Sequence, residues 1–150
     1  MKTANRAADF AKMFGLQYVV ENGGEAFKGN GASTFGTSEL FANANSNLGL
    51  QPDTGNFFVQ RVWTRPEEAQ AFIEKYADRV GYIHLKTSSK DHKPQPVAGD
   101  NELDHDIIFA IAAKAKMPYV GFELAQPDTL AQAYKNHKKS VEYLKRRFGG

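Results

Sequence analysis

Four ionisable side chains, Glu21, Asp53, His84 and Glu123, each stand at or near the end of an apolar run: LQYVVE, LGLQPD, VGYIHL and YVGFEL. In an extended strand, residues two apart share a face. Counting back from the four reaches Val19 and Gln17, Gln51 and Gly49, Tyr82 and Val80, and Gly121 and Tyr119. The opposite face carries Tyr18, Val20, Leu48, Leu50, Ile83, Leu85, Val120 and Phe122. One face is therefore aliphatic or aromatic throughout, as packing against helices requires, and the other accepts Gln and Gly. All four ionisable groups fall on the accepting face. They lie 32, 31 and 39 residues apart, close to the roughly 30 residues that one strand–helix unit of an eightfold barrel takes. Parallel strands bring their C-terminal ends to one edge of the sheet, so the four groups are expected to converge there. Three carboxylates and an imidazole in one place repel one another unless a cation holds them. Oxygen-rich ligation with a single nitrogen suits Mn²⁺, Mg²⁺ or Co²⁺, with Zn²⁺ also admissible.

The elements that must position these groups alternate along the chain. Residues 3–14 read as a helix stopped by Gly15, and 16–21 as the first strand. A glycine-rich loop, GGEAFKGNGASTFG, leads to a short helix near 37–45 and a second strand at 48–53. Thr64 and Glu67 have capping-box spacing, and Ala69, Phe72, Ile73, Tyr76 and Ala77 follow on one face, which predicts a helix over 65–77. The third strand is expected at 80–86. A long polar loop, SSKDHKPQPVAGDNEL, separates it from a helix marked by Ile107, Ile108, Ile111, Ala112 and Ala115. The fourth strand is expected at 119–124 and a last helix at about 128–147. A helix followed by four strand–helix units is an α/β pattern with a parallel sheet, one domain over 1–150.

Composition narrows the function classes. With 150 residues and 41% hydrophobic content, the chain is one domain's worth and can bury a core. It contains no cysteine, which excludes disulfides, thiolate metal sites and thiol redox chemistry. The opening residues MKTANRAADFAKMFG have no continuous apolar stretch, and no later run has the length of a membrane span, so a soluble cytoplasmic protein is expected. The net charge of +2 points to no polyanionic partner, and the basic run KNHKKSVEYLKRRF reads as a solvated helix face.

Taken in order, YVVEN, LGLQPDTGNF, YIHLKT and YVGFEL resemble the fifth to eighth strands of the xylose isomerase-like TIM barrels, the superfamily of sugar phosphate isomerases and epimerases that also includes the endonuclease IV type of DNA repair enzyme. VAGDNELD resembles the glycine-containing turn before the seventh helix of that family. The resemblance implies a parallel (β/α)₄ half-barrel and a divalent metal held by Glu21, Asp53, His84 and Glu123. It also implies that Glu21 and Glu123 are the acid/base pair moving a proton next to the carbonyl of a keto-sugar, with or without a phosphate. Lys86 lies two residues after His84 on the same face and is a candidate for a substrate oxygen or phosphate, or equally for an ammonium reaching solvent at the barrel mouth. Asn56 stands where many relatives carry a histidine, and Trp63 and Phe57 lie in the same loop, where they are candidates to line a sugar site or, the commoner use, to pack in the core under the loop. The arginine that often follows the histidine strand is absent, with Lys90 and Lys93 nearby. His92 and His105 repeat no ligand spacing and read as solvated or capping residues. The repair enzymes need several more histidines, so a nucleic-acid substrate is not expected.

A closed barrel of eight strands takes about 200 residues or more, and four strands are legible here. Three accounts of that shortfall stay open: a fragment or truncated product lacking an N-terminal half, a homodimer of half-barrels, or an open four-stranded sheet. Beside the metal-dependent isomerase or epimerase stands a second reading, a catalytically inactive module that binds a sugar or a metal.

Overall fold

A computed structural model describes residues 2–22, 36–58, 65–89, 93, 95–99, 103–117 and 120–148. Helix α1 (Lys2–Met13) precedes strand β1 (Tyr18–Glu21), helix α2 (Thr37–Asn43) and strand β2 (Leu48–Gln51). Helix α3 (Pro66–Lys75) and a 3₁₀ turn (Ala77–Arg79) lead to β3 (His84–Leu85), α4 (His105–Lys114), β4 (Gly121–Phe122) and α5 (Leu130–Phe148). The helix–strand alternation read from the sequence is thus the observed order, with shorter strands.

Local chemistry sets the boundaries. Gly15 has φ 70°; its amide donates to the Lys12 carbonyl and the Leu16 amide to that of Ala11. This pair of bonds is the Schellman ending, which glycine accepts without a Cβ penalty. The same two bonds close α4, from Lys116 to Ala113 and from Met117 to Ala112, here with a lysine at φ 53°. Asp104 caps the start of α4 by accepting from the Asp106 amide at 2.9 Å. Helix α3 starts one residue later than the expected capping box places it. Arg65 occupies the N-cap with no side-chain bond and Pro66 opens the first turn, while Thr64 lies outside the described residues.

All strand pairings are parallel. β1 pairs with β2 in the register Tyr18–Leu48 to Glu21–Gln51, and β3 pairs with β4 through His84–Gly121 and Leu85–Phe122. Two isolated parallel bridges, Leu50–Val80 and Asp53–His84, join the two pairs, so the spatial order follows the chain. Between those bridges lie two residues on one side, Gln51 and Pro52, and three on the other, Gly81, Tyr82 and Ile83. The extra residue is a bulge in the third strand. Its effect is to change which face each residue takes. Val80 sits beside Leu50 in the hydrophobic core and is 6% exposed, whereas simple alternation from His84 assigns it to the opposite face.

The core lies between the strands and the helices. Leu48, Leu50, Ile83 and Leu85 are fully or almost fully buried and join Phe41, Ala69, Phe72, Ile73, Ile108, Ile111 and Ala112 from the helices. Val20, Val120 and Phe122 pack against this cluster while partly exposed. Tyr18, on the same side, remains 42% exposed at the free edge of β1. On the other face a Cβ on Gly49 or Gly81 would collide with the side chains of Gln17 and Val19. A Cβ on Gly121 would meet the Tyr82 hydroxyl at 2.5 Å. Glycine at these strand positions leaves room for the large interior-facing residues of the adjacent strands. Among the described residues, no helix is long and apolar enough to cross a membrane.

Candidate metal centre

The registers place the four ionisable groups on one face. Glu21 stands opposite Gln51, two residues before Asp53; Asp53 stands opposite His84; and Glu123 follows Gly121, the partner of His84, by two. Steps of two keep the face in a parallel sheet. The result is a cluster in which one ligand atom from each of Glu21, Asp53, His84 and Glu123 lies within 4.8 Å of the others.

Each carboxylate divides its oxygens between the wall and the centre. Glu21 Oε1 accepts from Asn56 Nδ2 at 2.8 Å, while its Oε2 lies 3.3 Å from His84 Nδ1. Asp53 Oδ1 accepts from the backbone amides of Gly55 and Asn56 at 2.9 and 2.8 Å. Its Oδ2 is buried and accepts no hydrogen bond from a donor among the described residues, at 3.9 Å from His84 Nδ1 and 3.8 Å from Lys86 Nζ. Glu123 Oε1 accepts from Lys86 Nζ at 2.6 Å, and its Oε2 lies 3.2 Å from His84 Nδ1. Three oxygens and one nitrogen therefore face a common centre, each carboxylate being held from behind by a donor. A buried carboxylate oxygen without a donor is costly, and a divalent cation would meet that need. The donor set, oxygen-rich with one imidazole, fits the hard or borderline divalent ions.

Electrostatics agree with the geometry. Burial pushes the Asp53 carboxyl up to about 7 from its ordinary 3.8, against the nearby Lys86 charge and the Asn56 amide, while the Glu123 and Glu21 carboxylates add to the rise. Glu123 shifts the other way. Its partial burial raises it, but the hydrogen bond and charge of Lys86, then a hydrogen bond from the Asp53 carboxyl and the charge of His84, outweigh that and leave it below the ordinary value.

Three residues of the wall carry no ligand spacing of their own. Asn22 is fully buried; its Oδ1 accepts from the Asp53 amide at 2.7 Å and its Nδ2 donates to the Asp53 carbonyl at 3.2 Å. It thereby continues the β1–β2 ladder with a side chain beyond the end of the strand. Gln51 donates from Nε2 to Glu21 Oε2 at 2.8 Å and sits 3.2 Å from His84 Nδ1. Its position on the interior face two residues before Asp53 was the available signal; Asn22 offers none, because its role depends on register. Lys86 is buried, with Nζ also 2.9 Å from Asn56 Oδ1 and 3.8 Å from Asp53 Oδ2.

The remaining sequence candidates separate. Asn56 belongs to the wall: its Oδ1 accepts from Lys86, its Nδ2 donates to Glu21 and to the Asn22 carbonyl, and its amide donates to Asp53. Phe57 does not line a sugar site. It is completely buried and packs on Phe58 and Phe72, because the turn after Asp53 folds that ring into the core. Trp63, Lys90 and His92 lie outside the described residues. His105 is not solvated: it is 3% exposed in the first turn of α4, with Nδ1 3.0 Å from the Tyr143 hydroxyl.

No protein-family model matches the chain, and a search of curated proteins finds no match. Solved structures do match. A sugar phosphate isomerase/epimerase from Parabacteroides distasonis superimposes with TM-score 0.67 at 17% identity over 96% of this chain and 50% of its own. A second from the same organism gives 0.58 at 15% identity over 93% and 50%. A D-tagatose 3-epimerase-like protein gives 0.58 at 17% over 97% and 53%. The chain therefore spans about half the length of the structures it matches, and the likeness, at these identities, is one of fold. Its four parallel strand–helix units have the architecture of half of a sugar phosphate isomerase/epimerase barrel.

Proposed function

We propose that this half-barrel holds a divalent cation through Glu21, Asp53, His84 and Glu123 and serves the isomerisation or epimerisation of a keto-sugar or its phosphate. The observation that carries the reading is the inward set of Glu21 Oε2, Asp53 Oδ2, His84 Nδ1 and Glu123 Oε2, with Asp53 Oδ2 buried and without a hydrogen-bond donor among the described residues. A bound divalent cation supplies Lewis acidity toward a carbonyl and its neighbouring hydroxyl, which lowers the cost of an enediolate. The chain's own residues do the rest. Glu21 and Glu123 are the pair that takes a proton from the substrate carbon and returns it. Asn56 and Lys86 hold the wall-side oxygen of each, Glu21 Oε1 and Glu123 Oε1, in place, and the Lys86 ammonium beside Glu123 is the candidate to meet a substrate oxygen.

The test is exchange of substrate hydrogen in deuterated water, followed by NMR with free and phosphorylated ketoses, with and without Mn²⁺. Exchange that requires both the metal and His84 is expected. Saturable sugar binding without exchange would instead identify an inactive binding module, the second reading raised by a chain spanning half of its structural matches.

We propose that a second copy supplies the other half of the barrel, the place that an N-terminal half would otherwise take. Among the described residues β1 pairs with β2 alone and β4 with β3 alone. Both outer flanks are apolar: Phe10, Met13, Phe14, Leu16 and Tyr18 are exposed along α1 and β1, and Leu130, Tyr134 and Val141 along α5. Free strand edges beside exposed apolar surface favour association.

A further inference from the structure

Lys86 is a buried cation inside a cluster that the proposed function reads as a cation site, and the inference drawn from it rests on that reading. Its ammonium touches Glu123 Oε1 at 2.6 Å and Asn56 Oδ1 at 2.9 Å and lies 3.8 Å from Asp53 Oδ2. Its stem is held as firmly as its charge. A Cβ on Gly55 would come within 2.6–2.9 Å of the Lys86 Cβ, Cγ and Cδ, so the aliphatic chain lies flat on the Gly55 backbone. The Lys86 amide and carbonyl are both tied to Thr54 Oγ1, at 2.9 and 2.7 Å. The ammonium is thus fixed beside the centre: it bonds Glu123 Oε1, leaves Oε2 toward His84 Nδ1, and sits at longer ionic range from the inward Asp53 Oδ2.

With its carboxylates ionised, as ligation requires, the cluster contains three negative charges and one fixed positive charge. The net charge is two negative, which matches a divalent ion. We propose that Lys86 is the resident counter-cation that tunes this centre to divalent rather than trivalent ions. The role differs from contact with substrate, because it operates when no substrate is present. A fixed positive charge repels any incoming cation, and it repels a trivalent ion more than a divalent one in proportion to charge. A neutral side chain at this position leaves three uncompensated carboxylates, and the preference then moves toward the higher charge.

The experiment is calorimetric titration of the whole chain with Mn²⁺ and, separately, with Tb³⁺, in the wild type and in Lys86→Met, Lys86→Gln and Lys86→Arg. Methionine keeps the stem over Gly55 and removes the charge; arginine keeps the charge. The ratio of the two dissociation constants, Mn²⁺ over Tb³⁺, is expected to rise by about tenfold or more in Lys86→Met and to stay near the wild-type value in Lys86→Arg. A purely structural role would weaken both ions together and leave the ratio unchanged, which would overturn the proposal. Circular dichroism of each variant with metal present identifies the folded ones, and Lys86→Gln gives the ratio if Lys86→Met does not fold. If neither neutral variant folds even with metal bound, Lys86 is a structural requirement and the proposal fails. A wild-type chain that binds neither ion would sink the metal reading itself, a result distinct from an unchanged ratio.

Discussion

Asp53 stands opposite His84 across a parallel bridge, with the His84 amide donating to the Pro52 carbonyl at 3.0 Å and the Thr54 amide to the His84 carbonyl at 3.0 Å. The bulge at Gly81–Ile83 is what permits this pairing. Without the extra residue, the register that sets Val80 beside Leu50 would put Ile83 opposite Asp53 and turn His84 to the core face.

The pairing gives Asp53→Asn a signature of its own. The asparagine keeps the shape and an acceptor for the Gly55 and Asn56 amides, removes a buried charge, and can donate toward Glu123. The metal-free variant at pH 8 is expected to be more stable than wild type by about 1–3 kcal/mol, because ionised Asp53 carries a desolvation cost. Its affinity for Mn²⁺ should fall by about 100-fold or more, since an inward anion is lost. Urea unfolding and calorimetric titration read the two effects. A variant that loses stability and keeps the metal would contradict the assignment.

The same group sets a pH dependence. The folded-state value of Asp53, about 7, lies above its ordinary 3.8, so between those values the native state binds more protons than the unfolded chain. The stability of the metal-free protein should therefore fall as pH rises from about 4 to 7, and affinity for Mn²⁺ should rise over the same range as the proton is displaced. Titration at pH 6 in two buffers of different ionisation enthalpy should show about one proton released per metal bound. Pairing of Glu123 with Lys86 acts in the opposite sense: it depresses that carboxyl and is lost only on further acidification. Chelation with EDTA at pH 8 should lower the melting temperature more than at pH 5.5.

Much of this was legible because chemistry and periodicity pointed the same way. Glu21, Asp53, His84 and Glu123 share an interior face whose neighbours are Gln and Gly, and the structure brings the four together. Val80 was misread for a specific reason: alternation assumes an unbroken strand, and a one-residue bulge reverses parity without leaving a mark in the hydrophobic pattern. Phe57 stayed ambiguous because a loop aromatic near a site has the same sequence appearance whether it faces ligand or core, and here it faces the core. The buried placement of Lys86 follows from Gly55, two residues past Asp53, whose missing Cβ makes space for the lysine stem. That contact joins two strands and exists only once their register is fixed.

Asn22 offers a test of that register-dependent layer. Its two bonds to the Asp53 backbone replace ladder bonds past the end of β1, so Asn22→Ala leaves the Asp53 amide without its acceptor in a buried position. A loss of about 2–4 kcal/mol in stability is expected, with a weaker Mn²⁺ affinity although no ligand has been touched. Asn22→Asp restores the acceptor and should recover part of the stability, while setting a fourth carboxylate beside the cluster. If Asn22→Ala melts like wild type, the clamp does not organise the site.

Self-association is the expected outcome of the two flanks that have no strand partner among the described residues. Exposed Phe10, Met13, Phe14, Leu16 and Tyr18 lie on α1 and at the edge of β1, and exposed Leu130, Tyr134 and Val141 lie on α5, which follows β4 at the other edge. If β1 of one copy lies beside β4 of another about a two-fold axis, both edges of both sheets are satisfied at once, and each copy brings its own cation site to a shared mouth. Light scattering should then give twice 16.6 kDa, and the interface should respond at both flanks. Leu16→Lys places a charge at the β1 edge and Tyr134→Glu one on α5; each alone should lower the mass to one copy, and the two in the same chain should do no more than either. Metal affinity is expected to persist in the monomeric variants, because all four inward donors come from one chain, whereas deuterium exchange into a ketose should be lost with the second half of the pocket. A wild-type chain that stays at 16.6 kDa at high micromolar concentration, and still catalyses exchange, would show that one half-barrel suffices and remove the need for a partner copy.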